Sequence, residues 1–99
     1  MNAIDGMPPI HPGEILRDEL LALDLSASRF AKALAVPANR VTGILNGTRA
    51  ITADTALRLS RYFGTSAEFW MNLQQDYELK RARAEAGAAI ERSVHPRAA

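Results

Sequence analysis

Apolar residues recur along this chain at every third or fourth position with no sustained alternation, a pattern that predicts helices throughout. Ile15, Leu16, Leu20 and Leu23 form the first stripe. Pro12 suits the opening turn, where its missing N–H is not needed, so a first helix is expected over about 12–23. Phe30, Ala31 and Leu34 make a second stripe behind Ser26, a good N-cap. Pro37 disfavours the α conformation at Val36 and interrupts that helix. Val41, Ile44 and Leu45 mark a third, closed by Asn46-Gly47, two residues tolerant of the left-handed conformation. After the linker Thr48-Arg49-Ala50-Ile51, Thr52 can cap a fourth helix, with Asp54 against its positive end and Ala56, Leu59 and Phe63 on one face. Gly64 ends it. Thr65-Ser66-Ala67-Glu68 reads as a capping box for a fifth helix carrying Phe69, Trp70, Leu73 and Tyr77. The expected architecture is all-α, with five helices and no strands.

The ends read differently. Residues 1–11 contain Gly6, Pro8 and Pro9 and are expected to form an irregular arm. From Glu85 onward, Gly87, Pro96 and a shortage of large apolar residues predict a frayed or disordered tail over 84–99, leaving 12–83 as the folded body.

The second and third helices are short and separated by a few residues, the arrangement a helix-turn-helix requires, here over about 26–46. In such a unit Phe30, Ala31, Leu34, Val36, Val41, Ile44 and Leu45 fix the angle between the helices. The outward positions of the third helix are Ala38, Asn39, Arg40, Thr42, Gly43 and Asn46. Asn can pair with adenine, Arg with guanine or a phosphate, and Thr can touch a thymine methyl group. The same positions can equally be a solvated helix face, since paired short helices are common in proteins that never meet DNA.

Charge sharpens the picture. The whole chain carries only +1. Within residues 24–65, however, Arg29, Lys32, Arg40, Arg49, Arg58 and Arg61 face only Asp24 and Asp54, whereas residues 1–23 set Arg17 against Asp5, Glu14, Asp18 and Glu19. The basic excess sits in this middle segment, which contains the two short helices, where phosphates can use it.

With 99 residues the chain fits one domain. It has no cysteine, and its two histidines, His11 and His95, lie far apart in sequence, so no disulfide, structural metal or cofactor is expected. No apolar run reaches the length of a membrane span and no signal peptide is evident, which predicts a cytoplasmic protein. Enzyme chemistry is not expected, because Glu14, Asp18 and Glu19 suit solvation or the helix dipole and no poised acid–base pair accompanies them.

Four ordered blocks carry a resemblance to a known family. His11-Pro12-Gly13-Glu14-Ile15-Leu16, Val36-Pro37-Ala38-Asn39-Arg40-Val41, Ile51-Thr52-Ala53-Asp54-Thr55-Ala56-Leu57-Arg58-Leu59 and Phe63-Gly64-Thr65-Ser66-Ala67-Glu68-Phe69-Trp70-Met71-Asn72-Leu73-Gln74 resemble the HigA antitoxins, which are XRE-type, λ-repressor-like helix-turn-helix regulators. The resemblance spans about residues 10–78. It implies a five-helix DNA-binding domain and a homodimer on an inverted-repeat operator in its own promoter. It also implies a HigB toxin, a RelE-type mRNA endonuclease, as partner. By position it assigns base reading to Ala38, Asn39, Arg40, Thr42 and Gly43, and phosphate contacts to Lys32 and Arg49, with Ser28 and Asn46 beside them.

Three departures stand out. Ala27 occupies a position where a Gln is common, which either lowers affinity or shifts that contact to Ser28; Gly43 lacks a side chain where a longer polar one is common; and Ala35 replaces a frequent turn glycine, so the turn is either a left-handed alanine or another shape. A left-handed alanine costs on the order of 1 kcal/mol. Phe69, Trp70, Leu73 and Tyr77 can either seal the core or form the dimer interface, and the interface is the expectation carried forward. An acidic toxin-binding surface at Glu14, Asp18 and Glu19 is one option; the fifth helix is another. A solitary repressor without a toxin, or a helical module that binds only protein, would share most of these features.

Overall fold

The computed structural model describes residues 8–98. Five helices follow in order: α1 (Pro12–Ala22), α2 (Ala27–Leu34), α3 (Ala38–Leu45), α4 (Ala53–Phe63) and α5 (Ala67–Ser93), with no strand among the described residues. Side chains cap four of them. Ser26 Oγ accepts from the Arg29 amide at 3.1 Å, Thr52 Oγ1 from the Thr55 amide at 3.4 Å, and Ser66 Oγ from the Phe69 amide at 3.1 Å. For α1 the acceptor is an imidazole: His11 Nδ1 takes the Gly13 amide at 2.9 Å.

The cap of α5 differs from the expected capping box. Ser66, not Thr65, is the N-cap. Trp70 is almost wholly buried, so its indole N–H needs a partner, and it donates to Thr65 Oγ1 at 2.8 Å. Thr65 is thereby committed to the indole and the neighbouring serine takes the cap.

Both ends of the chain depart from expectation as well. Residues 1–7 of the anticipated arm lie outside the described residues, while His11, its last member, is buried and begins the folded body. The tail placed at 84–99 is helical as far as Ser93. Alanines dominate that stretch, an Arg81–Glu85 ion pair at 3.0 Å spans one turn, and Ser93 Oγ donates to the Ala89 carbonyl at 2.8 Å. Strong intrinsic propensity therefore extends the helix without any apolar partner. α5 stretches the molecule to 53 Å against 25 and 23 Å in the other directions.

The core gathers Leu16 and Leu20 of α1, Phe30 and Leu34 of α2, Val41 and Ile44 of α3, Ala56 and Leu59 of α4, and Trp70 of α5, with Ile51 from the linker. Ile51 is pinned further by its amide, which donates to the buried Gln74 Oε1 at 2.9 Å. Leu23, counted in the first apolar stripe, falls beyond the end of α1 and is exposed.

Two backbone features set the geometry of α3. The start of α1 lies directly on its C-terminal turn: a Cβ on Gly13 would sit 1.9 Å from the Ile44 carbonyl oxygen. No side chain fits there. At the other end, Ala35 closes α2 in the left-handed region at φ 58, ψ 45, and the Val36 amide returns to the Ala31 carbonyl at 3.0 Å. The strain anticipated for this alanine is present.

Gly13→Ala should therefore destabilise the fold by about 2 kcal/mol or more, since backbone must move to admit the methyl group. Urea unfolding checks it, and an unchanged midpoint would contradict the close approach. Ala35→Gly should act oppositely. Relief of the left-handed strain outweighs the extra freedom of the unfolded chain, giving a gain of roughly 0.5–1 kcal/mol in the same assay.

Candidate nucleic-acid interface

α2 and α3 are held apart by Ala35, Val36 and Pro37, and both turn their apolar faces inward. Val41 and Ile44 are each 1% exposed, which leaves Ala38, Asn39, Thr42 and Asn46 on the solvent side of α3. Pro37 precedes α3 without a side-chain cap, and its carbonyl accepts the Arg40 amide at 3.0 Å. The first turn of α3 thus presents small and polar groups with free backbone donors, a slim edge suited to a groove.

Arginines from neighbouring helices secure the C-terminal ends of both short helices. Arg17 of α1 donates to the Leu45 carbonyl at 3.0 Å and approaches Asn46 Oδ1 at 3.5 Å, placing a cation on the negative end of α3. Arg58 of α4 does the same for α2, donating to the Leu34 carbonyl at 2.9 Å and the Ala35 carbonyl at 3.3 Å. Its Nε also bonds Asp54 Oδ2 at 2.8 Å, and the same oxygen accepts from Arg40 Nη1 at 2.6 Å. Hydrogen bonds from Arg58, and then from Arg40, hold the Asp54 carboxyl below its ordinary pKa. The bridge is exposed, so it contributes little to overall stability. Its value is geometric, because it ties α3 to α4 through one carboxylate.

The expected reading residues therefore separate. Ala38, Asn39 and Thr42 share the outer face of α3. Arg40 is folded back onto Asp54 rather than extended outward. Gly43 faces the linker: its carbonyl accepts the Thr48 amide at 2.9 Å and the Arg49 amide at 3.1 Å, and a Cβ there would lie 3.1 Å from the Arg49 Cβ. Its missing side chain lets the linker close on α3, so Gly43 acts as a packing residue. Among the expected phosphate contacts, Ser28 and Lys32 are exposed on α2 and Arg49 is exposed on the linker beside α3, while Asn46 is shared with Arg17. Neither Lys32 nor Arg49 forms an ion pair among the described residues.

The expected dimer set divides too. Trp70, at 2% exposure, belongs to the core, stacked near Phe63 with ring centroids 5.7 Å apart. Leu73 is half-buried against that core, and Tyr77 packs edge-on to His11 at 4.8 Å. Phe69 is exposed, and Leu79 and Ile90 further along α5 are exposed with it. Burial thus assigns Trp70 to the core, while Phe69, Leu79 and Ile90 are the large apolar side chains that α5 leaves exposed along with Met71.

Several positioning residues escaped the sequence reading. Arg58 had a visible signal, its spacing of four from Asp54. Arg17 had none, because its partner lies on α3, and His11 caps the nearby Gly13 but meets Gly47 and Tyr77 across the fold.

A helix-turn-helix family model matches residues 16–70. A curated relative, virulence-associated protein I of Dichelobacter nodosus, is 57% identical over 77 residues, covering 77% of this chain and 71% of its own length. An addiction module antidote protein of a HigA family from Coxiella burnetii superposes with a TM-score of 0.89 at 60% identity, over 92% of this chain and all (100%) of that one. The Pseudomonas aeruginosa antitoxin HigA, solved with higBA promoter, gives a TM-score of 0.86 at 54% identity, over 89% and 97% of the two chains. The α2–turn–α3 unit with an arginine on the C-terminal end of each helix, and these matches across nearly the whole chain, place this protein in the XRE-type helix-turn-helix family, among the relatives of the HigA antitoxins.

Proposed function

We propose that this chain is a sequence-specific DNA-binding antitoxin. On this reading it represses its own operon as a homodimer on an inverted repeat and neutralises a HigB/RelE-type mRNA endonuclease. The observation that carries the DNA half is the outer face of α3, where Ala38, Asn39 and Thr42 are exposed and bound to no other element, while arginines hold the C-terminal ends of α2 and α3. Solved relatives supply independent support, since the P. aeruginosa antitoxin HigA was captured with promoter DNA. Asn39 and Thr42 then read base edges, and Ser28, Lys32 and Arg49 meet phosphates on either side. Arg40 can join only by leaving Asp54.

A two-fold operator needs a two-fold protein. Beyond the core, α5 projects apolar side chains that stay half-exposed among the described residues, Leu79 at 46% and Ile90 at 52%. A second copy of the chain would cover them, and that exposure is what favours the homodimer.

The toxin half rests on the likeness to the antitoxins. Coexpression with the gene beside it tests this directly: a small basic protein should copurify with the tagged chain. Without such a neighbour, a solitary repressor remains.

Asn39→Ala should lose about 1–3 kcal/mol of discrimination between the operator and a base-substituted duplex, measured by fluorescence anisotropy. Arg49→Ala should instead weaken every duplex alike and reduce the salt dependence by about one phosphate contact per subunit. Uniform loss from Asn39→Ala would reassign that residue to the phosphates. In sedimentation, Leu79→Asp should move the protein toward monomer with its helix content unchanged, and an intact dimer would place the contact elsewhere.

A further inference from the structure

His11 stands where four segments meet. Its Nδ1 accepts the Gly13 amide at the start of α1. Gly47, whose φ of +77 turns the chain after α3, lies against the ring, where an added Cβ would come 3.8 Å from Cγ. The ring also meets Tyr77 of α5 edge-on and lines one cleft with Arg49 of the linker. It is only 8% exposed. An imidazole nitrogen that accepts a bond carries no proton, so the capping form is the neutral ring with its hydrogen on Nε2. Protonation would set an N–H against the Gly13 N–H. The cap would be lost and a charge would be buried in the corner.

We propose that neutral His11 is a positioning residue for DNA reading: it holds the start of α1 against the Gly47 turn and Tyr77 in the arrangement that presents α3, and its protonation releases that arrangement and weakens operator binding. The inference rests on the DNA-binding function proposed above.

The charged groups around the ring do not alter the sign. Burial disfavours the charged form most strongly, the Arg49 backbone and Glu14 of α1 favour it, and Arg81 of α5 opposes it, leaving the pKa below its ordinary value. Glu78 and Glu85 of α5 line the same cleft as Tyr77 and Arg81. A histidine whose pKa is lowered by folding binds its proton more readily in the unfolded chain. Its stabilising contribution is therefore complete above the ordinary value of about 6.5 and is lost as pH falls through the lowered one.

The test compares the intact chain with His11→Asn, whose Oδ1 takes the place of Nδ1 as an acceptor and does not titrate. The probe is a duplex of the region immediately upstream of its own coding sequence, at constant ionic strength, with the folded fraction followed by circular dichroism. Between about pH 7.5 and 5.5 the wild type should lose roughly tenfold more affinity than His11→Asn does. In NMR spectra of the DNA-free wild type, the Gly13 amide should shift with the same midpoint as the His11 ring, resolved from the exposed His95. This second measurement needs no variant to fold. Parallel losses in the two proteins, or a Gly13 amide indifferent to the ring, would overturn the proposal. Operator binding that stays constant while the Gly13 amide titrates would overturn it and leave the DNA reading intact. No operator binding at any pH would remove both.

Discussion

The contact of Gly13 with the Ile44 carbonyl is the constraint on which the arrangement turns. Backbone against backbone permits no side chain, so the start of α1 and the last turn of α3 are fixed relative to each other more tightly than side-chain packing would fix them. That contact also explains why the residue before the helix is unusual. A serine or aspartate would cap α1 equally well, but His11 has a ring that reaches past the cap to Gly47 and Tyr77. One residue thus satisfies an orphan donor and fills the corner that the close approach creates.

Cations at helix ends follow the same logic. α2 and α3 span eight residues each, so a large share of their carbonyls lack intrahelical partners. Arg17 and Arg58 satisfy several of these from outside. The charge balance of the middle segment consequently overstates what is available to a nucleic acid. Arg40 and Arg58 both lean on Asp54, whereas Lys32 and Arg49 keep their charge for solvent or a ligand.

Periodicity made the five helices legible, and most caps with them, because Ser26, Thr52 and Gly64 act on neighbours in sequence. It failed wherever the deciding partner was distant. Thr65 looked like a cap until Trp70 claimed its hydroxyl. Gly43 looked like a truncated reading position, yet its bare face serves the linker. Trp70 could be core or interface from sequence alone, and burial decides for core. The tail erred in the other direction: the shortage of apolar residues argued for disorder, while alanine propensity and one ion pair were enough for helix. Fold was a matter of local pattern, and the site a matter of which groups were already engaged.

Helices as short as α2 and α3 are marginal by themselves, since nucleation is costly and few bonds repay it. α2 also ends on a strained Ala35. Both persist because Phe30, Leu34, Val41 and Ile44 are buried together and because α1 and α4 grip their ends. The exposed face of α3 is therefore a product of the core beneath it. A defect at Gly13 or Ile44 would reach Asn39 without touching it, through the tilt of a helix that has no stability of its own to resist.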